Sequence, residues 1–295
     1  MRDDTPSRTA QWVAAARGLG MLLPPYVRLA EDPYGVAFAS PRLAKLLENR
    51  SPQPLALIPG LKTWIVYMQV RTRVIDDALR AFIAGGGRQV VLLGAGFDCR
   101  ALRMPELGEA QVFEVDHPAT QGHKLATLEK LDVMSPAHYV TWDFETRPLD
   151  ELPEALAESG HDGSIPTFTI WEGVTMYLTE AAIDASIRAI ADYSSPGSQL
   201  AMTYFAKHRL RKPSLATRVV QAAVARLGEP WTWGWAPDDL PDYLEERGWD
   251  LMRDIAAADA ARALLPANLA SAIKSATDRR VALAVIPESI AIAQR

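Results

Sequence analysis

Between residues 60 and 87 the chain carries its longest periodic signal. Ile65, Met68, Thr72, Ile75, Leu79, Phe82 and Ile83 recur at three- and four-residue steps after Pro59-Gly60, and Gly85-Gly86-Gly87 ends the run. Positions spaced this way share one face of an α-helix, and glycine is the usual stop. Upstream, Ser40-Pro41 reads as a cap and first-turn proline opening "RLAKLLEN", so residues 1 to about 87 are expected to be helical. From residue 88 the period changes. "RQVVLLG", "AQVFEVD", "AHYVTWD", "TFTIWEG" and "SQLAMTYF" read as five strands, with "PATQGHKLATLEKL" and "TEAAIDASIRAIADY" as helices between them. Strands alternating with helices imply a parallel sheet covered on both faces, and the wholly apolar "VVLL" and "FTIW" suit strands buried on both sides.

After residue 206 the chain turns basic and helical, then aromatic at "EPWTWGWAPDDL", before a helix ending at Gly248; "WDLMRDIAAA" and "RRVALAVIP" read as last strands. The expected organisation is a helical cap over 1–87, an α/β core over 88–205, a helical and aromatic lid insertion over 206–248, and strands completing the core sheet over 249–295. The cap has no apolar core of its own, so one α/β unit is expected.

Composition narrows the partners. A net charge of −5 gives no basic surface for nucleic acid, and Cys99, the sole cysteine, excludes an internal disulfide and fits a reducing compartment. No apolar run approaches the roughly 18 residues of a membrane span, and the acidic, polar "MRDDTPSRTAQ" is unlike a signal peptide. A soluble cytoplasmic protein, monomeric or homodimeric, is expected.

The chemistry starts at "VVLLGAGFDCRAL", where a strand runs into Gly94, Gly96 and Asp98. A dinucleotide fingerprint would place a third small residue at position 99, which is Cys99. Asp98 would repel a pyrophosphate but suits a ligand bearing an ammonium and no phosphate, such as S-adenosylmethionine. Asp116 ends the second strand, where a carboxylate can take both ribose hydroxyls. Glu114, on the same face but deeper, reads as a structural hydrogen-bond partner. Asp143 reads equally as an acceptor for an adenine amino group and as a strand-end turn residue. Glu172, flush against a buried strand, is expected in a cleft.

Taken in order, "VRTRVIDDALRAFI", "LLGAGFDCR", "FEVDHP", "VTWDFE" and "IWEGVTMYLT" resemble the leucine carboxyl methyltransferase family, closely over residues 60–205 and loosely elsewhere. That family includes methylases of a protein phosphatase C-terminus and bacterial methylases of polyketide carboxyl or hydroxyl groups. The resemblance implies a class I methyltransferase fold, Rossmann-like, with a seven-stranded sheet whose last strand is antiparallel. It also implies that Arg71 takes the S-adenosylmethionine carboxylate, that Gly94, Gly96 and Asp98 form the glycine loop, and that Asp116 holds the ribose. Asp143 and Phe144 would lie beside the adenine, with Glu172 lining the pocket. Cys99 departs from the threonine usual there. Independently, Arg71 borders the apolar helix stripe and so points toward the core, whereas Arg73 has Asp76 and Asp77 as surface partners.

Methyl transfer to a carboxylate needs no general base, whereas a phenol would benefit from one. The histidines offer no clear base: His117 and His123 read as lying at a helix start, His138 and His161 as exposed. His208 could reach the cleft mouth, and Tyr204 could line the acceptor site or close the core; both are weak catalytic candidates. "KHRLRK" reads as a solvated basic face. If extended, Trp231, Trp233 and Trp235 form an aromatic wall for a planar acceptor, or else anchor a crossing loop. The expectation is an O-methyltransferase without metal, acting on a small-molecule carboxylate. Its rivals are a protein C-terminal carboxyl methyltransferase, a nicotinamide dehydrogenase disfavoured by Cys99, and a non-catalytic binder of the cofactor.

Overall fold

The computed structural model describes residues 6–39, 60–208, 218, 221–222 and 231–288. The helix expected after Ser40-Pro41, and the basic cluster beyond His208, lie outside the described residues. The described helices are α1 (Arg8–Leu19), α2 (Leu61–Ala84), α3 (Arg100–Arg103), α4 (Pro118–Lys130), α5 (Leu152–Glu158), α6 (Glu180–Asp192), α7 (Leu240–Glu245), α8 (Ala257–Leu264) and α9 (Ala267–Ala270). The strands are β1 (Gln89–Leu93), β2 (Gln111–Asp116), β3 (His138–Thr141), β4 (Thr167–Trp171), β5 (Gln199–Phe205), β6 (Asp250–Ala256) and β7 (Arg279–Val285).

They form one seven-stranded sheet in the order β3-β2-β1-β4-β5-β7-β6. β1 to β5 run parallel, and β7 lies antiparallel between β5 and β6. The last strand is antiparallel, as the resemblance implied. Alternate residues along each strand serve opposite faces. Val90 and Leu92 of β1 pack with Phe168 and Ile170 against α2, whereas Val91 and Leu93 join Trp171 in a second core with Ile183, Ile187 and Ile190 of α6. Thus α2, grouped by sequence with the N-terminal helices, shares the main core with the sheet.

Local chemistry sets the ends of these elements. Thr179 caps α6 by accepting from Ala182 N at 3.2 Å, and Ser7 caps α1 by accepting from Ala10 N at 3.1 Å. β6 stops at Ala256, two residues short of the expected strand end, because the alanine-rich run that follows favours helix and buries Ala257, Ala258, Ala260 and Ala261 in α8. α1 is seated tightly. A Cβ on Gly18 would stand 2.5 Å from Val36 N, so only glycine allows this approach. Among the described residues no helix is long and apolar enough to cross a membrane.

Candidate active site

In an open parallel sheet, ligands bind beyond the carboxyl ends of the strands. Here β1 leaves the sheet at Leu93 and turns through Gly94 (φ 71°) and Gly96 (φ 55°), left-handed conformations that favour glycine. Gly94 N and Ala95 N both donate to Val115 O, at 2.9 and 3.1 Å, which ties the loop to β2. A Cβ on Gly94 would come within 2.8 Å of Val174 Cγ2, so the segment after β4 presses directly on the loop. Beside this loop lies a cavity whose wall includes Arg71, Gly94, Gly96, Asp98, Asp116, Asp143, Phe144 and Glu172. All eight residues singled out for cofactor binding meet in one place.

Asp116 accepts from Gly96 N and, at 2.6 Å, from His117 N. A carboxylate has about four lone-pair positions, so two remain for a ligand. Burial pushes its pKa up, against the pull of those two backbone donors. Asp143 accepts from Glu145 N at 2.9 Å and Thr146 Oγ1 at 2.8 Å, bonds that hold its pKa down; it makes its own turn while still facing the cavity. Phe144 is 37% exposed at the cavity edge.

In the wall and behind it lies a balanced set of charges: Arg17, Arg71, Arg100 and Arg103 against Asp32, Asp76, Asp98 and Glu172, every side chain at most 8% exposed. Arg71 Nε donates to Glu172 Oε1 at 2.6 Å, and Arg100 Nη1 donates to Glu172 Oε2 at 2.8 Å. Burial raises the pKa of Glu172, but Arg71, Arg100 and Arg17 outweigh it and hold the carboxyl at about 2. Asp98 accepts from Arg100 N at 2.8 Å and also from Arg100 Nη1; burial is again outweighed, chiefly by Arg100, so it stays ionised. Its charge is largely neutralised from behind. Asp76, expected as a surface partner of Arg73, is buried under Arg100 and Arg103; Asp77 alone pairs with Arg73, at 2.7 Å.

Arg71 keeps both terminal nitrogens without a hydrogen-bond partner among the described residues, although the side chain is only 4% exposed and lies on the cavity wall. Such a fork fits a carboxylate in bidentate geometry. Together with the glycine loop and the half-satisfied acceptor Asp116, it makes a set of donors and acceptors that fits an amino acid joined to a nucleoside.

Sequence reasoning missed Arg17. This residue of α1 lines the cavity, donates from Nη2 to Phe97 O at 2.6 Å and pairs with Asp32 at 3.1 Å. The signal was a single charge inside the otherwise uncharged "WVAAARGLGMLL". α1 thereby walls the cavity with Thr9, Ala10, Val13 and Arg17, together with its cap Ser7.

Other candidates sit elsewhere. Tyr204 is buried, and its hydroxyl donates to Asp254 Oδ2 at 2.7 Å, a carboxylate also held by Arg280; burial and this bond raise its pKa. It closes the core. His208 is exposed and is not on the cavity wall. Trp235 is buried edge-on to Tyr204 and Tyr243, and Trp231 packs edge-on to Phe205, 4.6 Å between ring centres. Tyr204 and Phe205 are successive strand residues facing opposite ways, so the tryptophans resting on them do not make one wall. Trp233 packs on Trp235, and none of the three lines the cavity. Their segment is an anchor: Thr232 donates from N to Met176 O and from Oγ1 to Leu178 O, both at 2.7 Å, bracketing Tyr177 of the cavity wall. His161, expected to be exposed, is buried between Phe113 and Tyr193 and bonded to Thr167 Oγ1 at 2.8 Å. His123 lies within α4 rather than at its start. Glu114 pairs with buried Lys124, a structural role.

A family model described as leucine carboxyl methyltransferase matches residues 10–191. A Frankia alni protein provisionally named as an S-adenosyl-L-methionine-dependent methyltransferase is 30% identical over 269 residues, 84% of this chain and 88% of its own length. A Streptomyces coelicolor protein with the same kind of provisional name is 35% identical over 181 residues, and the match spans 61% of each chain. In fold, the chain is similar to a provisionally named methyltransferase of Thermobifida fusca, with a TM-score of 0.57, 18% identity and coverage of 92% of this chain and 98% of that one.

Proposed function

This chain belongs to the leucine carboxyl methyltransferase family, and from that premise we propose that it is an S-adenosylmethionine-dependent O-methyltransferase acting on a small-molecule, polyketide-like carboxylate. The observation that carries the cofactor reading is the meeting, in one cavity, of the open Arg71 fork, the left-handed glycine loop and Asp116 with unused lone pairs. When bound, S-adenosylmethionine supplies a methyl carbon made electrophilic by its sulfonium. Arg71 takes the amino-acid carboxylate, and Asp116 accepts from the ribose hydroxyls. Asp143 and Phe144 flank the adenine, and Asp98 and Glu172 line the cavity as ionised groups whose charge Arg71 and Arg100 balance.

The acceptor reading rests on what the wall offers for proton transfer. Its sole imidazole among the described residues is His117, whose Nδ1 accepts from Ala119 N at 3.2 Å, a helix-capping role next to Asp116. A carboxylate acceptor is already ionised and loses no proton, so the protein has only to align its oxygen with the methyl carbon and exclude water. A phenol would have to lose its proton, and among the described residues the wall offers it no imidazole outside this capping role.

Calorimetric titration tests the cofactor reading. S-adenosylhomocysteine is expected to bind with a Kd of about micromolar order, Asp116→Asn to weaken it, and a reduced nicotinamide cofactor not to bind. Binding of the nicotinamide alone sinks the proposal. Turnover of radiolabelled methyl onto aromatic carboxylic acids, against matched phenols, tests the acceptor class; transfer to phenols alone overturns the carboxylate reading.

A further inference from the structure

We propose that Arg100, which is fully buried and does not reach the cavity, is a positioning residue that keeps the Arg71 fork open for the amino-acid end of the cofactor. The inference rests on the cofactor reading above and concerns how the site is held ready. Glu172 is gripped at both oxygens, by Arg71 Nε at 2.6 Å and by Arg100 Nη1 at 2.8 Å. Arg100 is held from its other side by Asp76, whose Oδ1 accepts from Arg100 Nε at 2.8 Å, and Arg103 clamps the same carboxylate. Asp76 and Arg71 both belong to α2. The side chains therefore close a ring from α2 through Asp76, Arg100 and Glu172 back to Arg71 on α2.

The ring matters because arginine and carboxylate prefer two parallel hydrogen bonds to one. Left alone, Glu172 would rotate its second oxygen onto a terminal nitrogen of Arg71 and fill the fork from within the protein. Arg100 prevents this by holding that second oxygen itself. It also neutralises Asp98 and Glu172, which would otherwise repel a ligand carboxylate arriving at Arg71.

Two ligands separate positioning from general support. S-adenosylhomocysteine has the amino-acid end; 5′-methylthioadenosine carries the same nucleoside without it. Calorimetry on the full chain is expected to show Arg100→Met binding S-adenosylhomocysteine about tenfold or more weakly, the scale of one lost charged hydrogen bond, with 5′-methylthioadenosine changed by less than about twofold. Arg100→Lys keeps the charge but cannot hold Asp76 and Glu172 together, and is expected to show the same selective loss at about threefold or more. Should the methionine variant not fold, the lysine variant decides by the same criterion. Equal weakening of both ligands, or no loss for S-adenosylhomocysteine, overturns the proposal and leaves the cofactor reading standing. A parent protein that binds no S-adenosylhomocysteine overturns both.

Discussion

Asp116 and Glu172 line the same cavity and respond to pH with opposite sign. Burial raises Asp116, so the folded protein binds its proton more readily than the unfolded chain does, and ionising it costs stability as pH rises through its raised value. Ribose hydroxyls need the ionised form as acceptor. The affinity for S-adenosylhomocysteine is therefore expected to rise with pH through that range, and Asp116→Asn to remove the dependence along with about ten- to a hundredfold of the affinity; titrations at a series of pH values check this. Glu172 is lowered from 4.5 to about 2, so its stabilisation is complete above pH 4.5 and is lost as pH falls from there toward 2. Urea midpoints are expected to drop across that window, with a shallower drop in Glu172→Gln. The cavity-facing residues were legible because strand ends and a glycine loop mark themselves locally. Arg100 was not: "DCRALR" does not disclose that its arginine meets carboxylates 24 and 72 residues away.

Helices and connecting segments fix how the wall is built. α1 reaches the glycine loop only because Gly18 lets it lie against Gly35 and Val36. Gly18→Val is expected to cost about 1–3 kcal/mol by overpacking and to weaken S-adenosylhomocysteine, because the wall carrying Arg17 is displaced; chemical denaturation and calorimetry read the two effects. The α2 stripe was plain in sequence, since one side of a helix must stay apolar to cover a sheet. "WTWGW" was not, because alternation states which residues share a face but not what lies beneath it. Trp235 meets Tyr204 and Tyr243 in the core, and Trp235→Ala is expected to cost about 3–5 kcal/mol in denaturant unfolding.

On the scale of the molecule, the alternation of strands and helices announced a parallel sheet, because only a crossover helix returns the chain to a parallel neighbour. The antiparallel β7 came from resemblance alone, since no local pattern distinguishes a strand inserted between two others from one added at an edge. A ligand that bridges α2, the glycine loop and β2 should stabilise the whole fold. At a hundredfold excess over Kd, S-adenosylhomocysteine is expected to add about 2.7 kcal/mol, a rise in Tm of roughly 4–5 °C for a chain of this size, with no rise from a reduced nicotinamide; a thermal melt distinguishes them.

The place of β7 also has a consequence on the ribosome. β5 is complete at Phe205, but the strand that pairs with its free edge ends 80 residues later, at Val285. At about 5–20 residues per second, the apolar edge of Leu200 to Phe205 stays open for roughly 4–16 s in each growing chain, able to pair with the same edge of a neighbour. β6, made in the meantime, cannot cover it, because its own partner is β7 as well. A chain released before Arg279 would expose both edges at once, so premature termination near the end is expected to yield aggregates rather than a slightly shortened protein.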